Sequence, residues 1–232
     1  PITFGDLDRM SATLAARLAA MGVRRGDRVA LMLRNSPASL ALMFAIARAG
    51  FVWVPVNVQL RGEALRHILT HCDPRIVIAD ADCLEAIRES EADLSRAMLL
   101  VAGDAPAGTT PLAPLMEGAA SHDEPLPLPE DDFAIMYTSG TTGPAKGVQV
   151  THRMLRLAGE GALLVAAARD GDALYVWEPL FHIGGAQLIV LPLRLRVSLH
   201  MVARFSASRF WQEVTSVGAT HIHFLGGILQ IL

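Results

Sequence analysis

Short apolar segments alternate with helical patterns in the first 137 residues, and this alternation constrains the fold more than any other feature of the chain. Five segments are typical of strands: RVALML, FVWVPV, RIVIAD, AMLLVA and DFAIMYT. Helical patterns near residues 63–71 and 84–90 separate the middle three. Strands that alternate with helices usually form parallel sheets, because each parallel return needs a crossover connection. The sequence therefore predicts an α/β fold with parallel-rich sheets flanked by helices.

Local signals predict where several elements begin and end. Thr3 is a good N-cap, Asp6 completes a capping box, and Gly22 is the expected exit of this first helix. Pro37 favours the first turn of a second helix. Further along the chain we expect a connecting loop over 103–129, helices over 154–168 and 207–217, and strands at LYVWEP and THIHFL.

Composition excludes several classes of function. The chain has 20 lysine and arginine residues and 23 aspartate and glutamate residues, which gives a net charge of −3. It has no basic tract of the kind that binds along a phosphate backbone, so the sequence does not indicate a nucleic-acid partner. The mean hydropathy of +0.36 is high, yet the apolar runs are too short to span a bilayer. Cys72 and Cys83 have neither metal nor redox spacing and are too few for a disulfide scaffold, which favours a cytoplasmic protein.

Residues 136–152, MYTSGTTGPAKGVQVTH, form a polar insert in a chain that is 52% hydrophobic. Glycines let backbone N–H groups converge on an anion, and hydroxyls with a lysine add donors and positive charge, so the segment is typical of a phosphate cradle. In the Walker A pattern, glycine precedes the lysine and serine or threonine follows it. Here Ala145 precedes the lysine and Gly147 follows it, which disfavours a P-loop kinase or GTPase. A plain glycine-rich hairpin explains any single residue, but it does not require four hydroxyls and a lysine.

Histidines and acids elsewhere have simpler interpretations. His67 and His71 have the i, i+4 spacing of a helical zinc site, but no third ligand is evident, and a solvated helix face is favoured. For His221 and His223 we favour packing or the lining of a substrate pocket, and for Glu178 a loop cap is an equally good explanation. No metal site is predicted.

The segment YTSGTTGPAKGV resembles the phosphate-binding signature of the adenylate-forming, or AMP-binding, superfamily, which includes acyl-CoA synthetases, luciferases and the adenylation domains of peptide synthetases. One departure is Ala145, where the family usually has proline. The resemblance covers nearly the whole chain, because the N-terminal AG…VPVN segment and PLFHIGG at 179–185 are similar to further family motifs. FSASRFWQEVTSVGATHIHFL is similar to carnitine- and crotonobetaine-CoA ligases.

This resemblance implies a two-step reaction. A carboxylate attacks the α-phosphate of ATP to give an acyl-adenylate and pyrophosphate, and a thiol, commonly that of coenzyme A, then displaces AMP. ATP, Mg²⁺ and coenzyme A are the implied cofactors and co-substrates. Phe181 and His182, in place of an aspartate that pairs with an ammonium group, imply a small carboxylic acid without that group.

The resemblance also assigns roles to residues, although it assigns none as catalytic. His182 is implied as an aromatic gate where the acyl and ATP sites meet, and Gly184 as a substrate residue. The strongest phosphate contacts are expected from Thr141, Thr142 and Lys146. The full set of implied phosphate-binding residues is Thr138, Ser139, Gly140, Thr141, Thr142, Gly143 and Lys146.

In the family, the acidic residue that helps to bind magnesium, the aspartate that holds the ribose and the lysine of the C-terminal subdomain follow the motifs found here. We therefore expect residues 1–232 to be the N-terminal portion of an AMP-binding domain, incomplete and inactive alone. The expected parent is a cytoplasmic ATP-dependent acyl-CoA synthetase of fatty acid metabolism. Three alternatives stay open: an acyl-AMP ligase that loads a carrier protein, a luciferase-like oxidase and a non-catalytic nucleotide-binding module. A homo-oligomer also stays open.

Overall fold

The computed structural model describes residues 1–138, 143–224 and 227–232. The contacts among these residues divide the chain into two compact units. The first unit consists of Pro1–Leu33 and Pro37–His152, and the second of Arg34–Ser36 and Arg153–Leu232.

The first unit alternates helices and strands. In chain order its elements are α1 (Phe4–Ala20), β1 (Arg28–Met32), α2 (Pro37–Ala49), β2 (Val52–Pro55), α3 (Gly62–Cys72), β3 (Ile76–Asp80), a 3-10 turn at Ala81–Cys83, α4 (Leu84–Glu89), β4 (Met98–Ala102), β5 (Thr110–Pro111), α5 (Ala113–Met116), β6 (Asp132–Tyr137) and β7 (Gly147–Thr151).

These seven strands form one sheet in the order β5-β4-β3-β1-β2-β6-β7. The neighbouring strands pair in parallel from β5 through β6, which confirms the predicted α/β class with a parallel-rich sheet. β7 pairs with β6 in the antiparallel direction, with Tyr137 opposite Gly147. The polar insert therefore contains the end of β6, the connection and all of β7, and it belongs to a hairpin at one edge of an otherwise parallel sheet.

Helix α1 starts where its local signals predict. Thr3 Oγ1 accepts a hydrogen bond from the backbone N of Asp6 at 3.1 Å, and the backbone N of Thr3 donates to Asp6 Oδ2 at 2.8 Å. Both halves of the capping box are present, so two backbone N–H groups at the helix start have partners. Gly22, with φ of 88°, follows the end of the helix, and α2 begins at Pro37 as predicted.

Both faces of the sheet are buried. On one face, Ala30, Met32 and Val54 pack in a cluster with Leu65 and Leu69 of α3. The residues that alternate with these along the strands are also buried: Val29, Leu31, Trp53, Ile76 and Ile78. Parallel strands covered on both faces are expected to be continuously apolar, which is the pattern of the strand segments in the sequence.

The prediction of an unstructured connection over 103–129 is partly wrong. β5 lies within it and pairs with β4 through Leu100 and Thr110, and α5 follows at Ala113–Met116. Leu112, between these two elements, is only 1% exposed. The segment was hard to recognise because two- and four-residue elements carry no measurable periodicity.

The second unit contains a smaller sheet. Its elements are α6 (His152–Ala166, whose first residue belongs to the first unit), β8 (Ala173–Val176), α7 (Ile183–Leu188), α8 (Leu191–Arg194), β9 (Ser198–Met201), α9 (Phe210–Ser216), β10 (His221–Ile222) and a 3-10 turn at Ile228–Gln230. The strands run parallel in the order β10-β8-β9. The predicted helices α6 and α9 and strands β8 and β10 are present, with α6 ending before Ala167 because that residue has φ of 51°.

Two further observations concern membranes and cysteines. Across the part of the chain that the structure describes, none of the helices combines the length and hydropathy that a bilayer crossing needs. Cys72 and Cys83 are both buried and belong to no disulfide among the described residues, and burial raises the pKa of the Cys72 thiol to about 12. At neutral pH Cys72 is therefore an uncharged thiol that contributes to the core.

Two glycines of α6 have different surroundings. A Cβ atom on Gly159 would lie 2.4 Å from Val190 Cβ and 2.8 Å from the carbonyl oxygen of Gln187, whereas a Cβ on Gly161 would meet nothing within 4 Å. Gly159 thus allows α6 to approach the end of α7 closely, and Gly161 does not serve this purpose.

We expect opposite effects from alanine at these two positions. Gly161→Ala should raise the free energy of unfolding by roughly 0.5–1 kcal/mol through helix propensity, and Gly159→Ala should lower it by about 1–3 kcal/mol because of overpacking. Urea denaturation of the two variants beside the unsubstituted chain measures both changes. Equal stabilisation by the two substitutions would contradict the close approach at Gly159.

Candidate functional site

The polar insert is closed at its base by hydrogen bonds between its two sides. The backbone N of Thr138 donates to the carbonyl oxygen of Lys146 at 3.0 Å, and the backbone N of Lys146 donates to Thr138 Oγ1 at 3.1 Å. Both residues are exposed. These bonds continue the β6–β7 ladder by one position, and we call this pair of residues the neck of the connection.

The structure places three of the seven predicted phosphate-binding residues. Thr138 and Lys146 lie together at the neck, and Gly143 is exposed, with none of the described residues beyond its chain neighbours within 4 Å of the place of a Cβ atom. The other four predicted residues lie outside the described residues: Ser139, Gly140, Thr141 and Thr142. Lys146 is the only lysine in the chain, so it is a unique primary amine on a side chain.

Two histidines of α3 contact the two sides of this neck. His67 Nε2 lies 2.8 Å from the carbonyl oxygen of Ala145, and His71 Nδ1 lies 2.6 Å from the hydroxyl of Tyr137. The prediction of a merely solvated helix face is therefore wrong for His67, which is half-buried, and incomplete for His71, which is exposed but bonded. The periodicity of α3 shows that the two residues share a face, but it cannot show which distant segment covers that face.

A zinc site at these histidines has no support in the described part of the chain, where no group of three or more His, Cys, Asp or Glu side chains is arranged to hold a metal ion. Instead, one ring nitrogen of each histidine forms a hydrogen bond to the hairpin. The pair therefore supports the loop through hydrogen bonds.

In the second unit, the PLFHIGG segment links β8 to α7. His182 is the N-cap of α7, and its Nδ1 accepts a hydrogen bond from the backbone N of Gly184 at 3.1 Å. Because Nδ1 is the acceptor, the proton of the neutral ring lies on Nε2, which remains a donor. His182 is exposed and Gly184 is buried, so the two predicted substrate residues are neighbours with different access to solvent.

Glu178 fills the space beside Gly184. It is 1% exposed, and a Cβ atom on Gly184 would lie 2.6 Å from Glu178 Oε1. The carboxylate bonds through Oε2 to His223 Nδ1 at 2.6 Å, while Oε1 has no hydrogen-bond partner among the described residues. A buried carboxylate needs a partner to offset its desolvation, and His223 supplies one.

The backbone around Glu178 is held by a buried amide. Asn35 Nδ2 donates to the carbonyl oxygen of Glu178 at 2.9 Å, and Asn35 Oδ1 accepts from the backbone N of Leu180 at 2.8 Å. Trp177 Nε1 donates to the carbonyl oxygen of His223 at 2.8 Å. The loop-cap interpretation of Glu178 misses this arrangement, because residues 35, 178 and 223 are too far apart in sequence for any local pattern to link them.

The two units thus carry two kinds of chemical group. In the first, the exposed Thr138 and Lys146 close the base of a connection whose sequence is rich in glycine, which suits an anion. In the second, the exposed His182 precedes Gly184, which borders the buried carboxylate of Glu178, and that carboxylate bonds to the partly exposed His223.

Comparison with known proteins agrees with these features. The family model described as AMP-binding enzyme matches residues 1–232. A sulfoacetate–CoA ligase of Cupriavidus necator is 36% identical over the whole of this chain and 45% of its own length. A medium/long-chain-fatty-acid–CoA ligase, FadD6, of Mycobacterium tuberculosis is 32% identical over the whole of this chain and 39% of its own length. A crotonobetaine/carnitine–CoA ligase of Salmonella heidelberg is 32% identical over 87% of this chain and 40% of its own length.

Solved structures give the same result. The inhibitor-bound N-terminal domain of FACL13 from Mycobacterium tuberculosis superposes with a TM-score of 0.87 at 27% identity, over 99% of this chain and 57% of that one. ATP-bound MatB from Rhodopseudomonas palustris superposes with a TM-score of 0.80 at 27% identity, over 93% of this chain and 43% of that one.

The chain spans less than half the length of the curated relatives that it matches. Its α/β architecture, with a mainly parallel sheet flanked by helices, is that of the N-terminal domains of acyl-CoA synthetases. Since the family model matches every residue from 1 to 232, the chain belongs to the AMP-binding enzyme family.

Proposed function

We propose that this chain is the N-terminal portion of an ATP-dependent acid–thiol ligase that converts a small carboxylic acid to its coenzyme A thioester. One observation carries the proposal: in a member of the AMP-binding family, the only lysine and a threonine hydroxyl stand together at the neck of a glycine-rich connection. The three curated relatives described above are all named as CoA ligases, and they support the same class of reaction.

The first step is attack of the carboxylate oxygen on the α-phosphorus of ATP. A new O–P bond forms, the bond to the pyrophosphate oxygen breaks, and negative charge accumulates on the pyrophosphate. Lys146 offers a cationic donor to that charge. Thr138 Oγ1 already accepts from the backbone N of Lys146, which leaves its own O–H proton to donate to the nucleotide.

The remaining loop residues extend the same role. Backbone N–H groups and hydroxyls of residues 139–142, and the exposed Gly143, complete the proposed phosphate site. Magnesium neutralises phosphate charge when it is bound with the nucleotide, and we assign no ligand to it in this chain. In the second step the thiolate sulfur of coenzyme A attacks the acyl carbonyl and AMP leaves.

For the acyl side we propose His182 and Gly184. The exposed imidazole, with its proton on Nε2, is suited to contact a substrate group that accepts a hydrogen bond. The resemblance implies an acid without the ammonium group of amino-acid substrates, because Phe181 and His182 lie near the point where amino-acid-activating relatives usually have an aspartate. We propose a cytoplasmic location, where thiols such as those of Cys72 and Cys83 stay reduced.

Replacement of Lys146 by alanine should slow adenylation strongly. We expect the rate of carboxylate-dependent pyrophosphate release by the full-length protein to fall about 10²–10³-fold, the usual loss for one preorganised oxyanion donor. Lys146→Arg, which keeps the charge, should recover part of the rate. Arg17→Ala removes an exposed cation from the last turn of α1 and serves as the control. A Lys146→Ala rate within twofold of the unsubstituted enzyme would remove this lysine from the mechanism.

The acceptor can be identified directly. The full-length protein, supplied with ATP, magnesium and a panel of carboxylic acids, should consume free coenzyme A and yield an acyl-CoA detectable by mass spectrometry. Transfer only to a phosphopantetheinylated carrier protein would favour the acyl-AMP ligase alternative, and oxygen consumption the luciferase-like one. Nucleotide binding without pyrophosphate release from any acid would favour a non-catalytic module.

A further inference from the structure

Helix α3 contacts both sides of the loop neck with two adjacent turns. The rings of His67 and His71 are stacked, with centroids 5.5 Å apart and an angle of 28° between their planes. His67 bonds to Ala145, on the side that leads to β7, and His71 bonds to Tyr137, the last residue of β6. The Tyr137 ring meets both imidazoles edge-on, at centroid distances of 6.4 Å and 5.7 Å.

The partner of His67 determines which of its nitrogens carries the proton. A carbonyl oxygen can only accept, so His67 Nε2 is protonated and donates to Ala145. Burial raises the pKa of the Tyr137 hydroxyl above its ordinary value, so this group stays protonated at neutral pH. A phenol can both donate and accept, so the bond between Tyr137 and His71 Nδ1 can form with either tautomer of His71. One histidine thus bonds to the β7 side of the neck and the other to the β6 side.

The helix that carries these histidines is firmly anchored. Leu65, Ile68, Leu69 and Cys72 of α3 are buried against the sheet, so the backbone beneath the imidazoles belongs to the core of the first unit. The neck, in contrast, lies beyond the ends of β6 and β7 at the sheet edge, and the register of β6 with its inner neighbour β2 rests, in the described part of the chain, on the pair Trp53 and Ala134. A rigid helix therefore supports the less constrained end of the hairpin.

We infer that His67 and His71 are positioning residues, which act as a clamp that holds the two sides of the phosphate loop at the spacing in which Lys146 meets ATP. The inference rests on the proposed function, because it assigns these residues a purpose in the same site. Ala145 is covalently adjacent to Lys146, so a bond to its carbonyl oxygen restrains the peptide that carries the lysine. An error of about 1 Å in such a group is enough to slow a reaction about 10²-fold.

The clamp is tested first through His67. In the full-length protein, His67→Leu should lower kcat/KM for ATP in pyrophosphate release by about 10–100-fold. His67→Gln should recover most of this loss, because its side-chain amide places an N–H donor near the position of Nε2. Denaturation midpoints show whether each variant folds. Rates for His67→Leu equal to the unsubstituted enzyme, or equal losses in both variants, would overturn the hydrogen-bonded clamp.

A second test uses the other side of the neck. His71→Leu and Tyr137→Phe each remove the same hydrogen bond, so the double variant should lose no more kcat/KM for ATP than the worse single variant. His71→Asn, whose side-chain amide offers both an acceptor and a donor near the position of Nδ1, should retain most of the activity. Fully additive losses would contradict a hydrogen bond shared by these two residues. The bond would also be contradicted if His71→Asn lost as much kcat/KM for ATP as His71→Leu.

A measurement on the 232-residue chain separates this inference from the proposed function. Lys146 is the only lysine, so its acylation by an amine-reactive reagent can be followed by peptide mass spectrometry. We expect the rate to differ at least threefold between His67→Leu and the unsubstituted chain, and to be unchanged in His67→Gln. If this pattern appears but the full-length protein fails to adenylate any acid, the clamp stands and the proposed function fails. If adenylation depends on Lys146 while both histidine variants behave as the unsubstituted protein, the function stands and the clamp fails.

Discussion

The covering of parallel strands on both faces is the constraint on which the rest of this structure depends. Under this constraint β1–β4 and β6 all run in the same direction, so their carboxyl ends lie along the same end of the sheet. In open α/β sheets that end is where ligands bind, since connections there are free of the core. The polar insert follows the carboxyl end of β6, and PLFHIGG follows the carboxyl end of β8 in the second sheet. Each motif occupies the position within its own unit that parallel topology leaves available for function.

The antiparallel pairing of β7 with β6 determines how the two ends of the connection are held together. A crossover connection would separate the two ends of the segment by a helix, whereas a hairpin brings Thr138 and Lys146 within hydrogen-bond distance. The hydroxyl of Thr138 and the backbone of Lys146 are thereby held together in one small region. Since the hairpin lies at the sheet edge, the precision of this region depends on contacts from outside the sheet, and α3 provides them.

Local chemistry accounts for the parts of the fold that sequence could predict. The capping box of Thr3 and Asp6, the proline at the start of α2 and the apolar strands are each specified within a few residues, and the structure contains all of them. β5, α5, α7, α8 and β9 were not predicted, and each of these short elements depends on the surface against which it packs. The bonds of His67 to Ala145 and of His223 to Glu178 span 78 and 45 positions. Such contacts are determined by tertiary packing, so residue type and spacing identify the candidates but not their partners.

Glycines in the two motifs are required for different reasons. Among the described residues, nothing beyond the adjoining residues lies within 4 Å of the place of a Cβ atom on Gly143, so a glycine there is favoured by its φ of 151° and not by close packing. A Cβ on Gly184 would lie 2.6 Å from Glu178 Oε1, and one on Gly185 would lie 2.4 Å from the carbonyl oxygen of Pro179. A side chain at either position would therefore have to displace the backbone or the Glu178 carboxylate. Because that carboxylate bonds to His223 Nδ1 at 2.6 Å, a substitution of Gly184 would also disturb the Glu178–His223 pair.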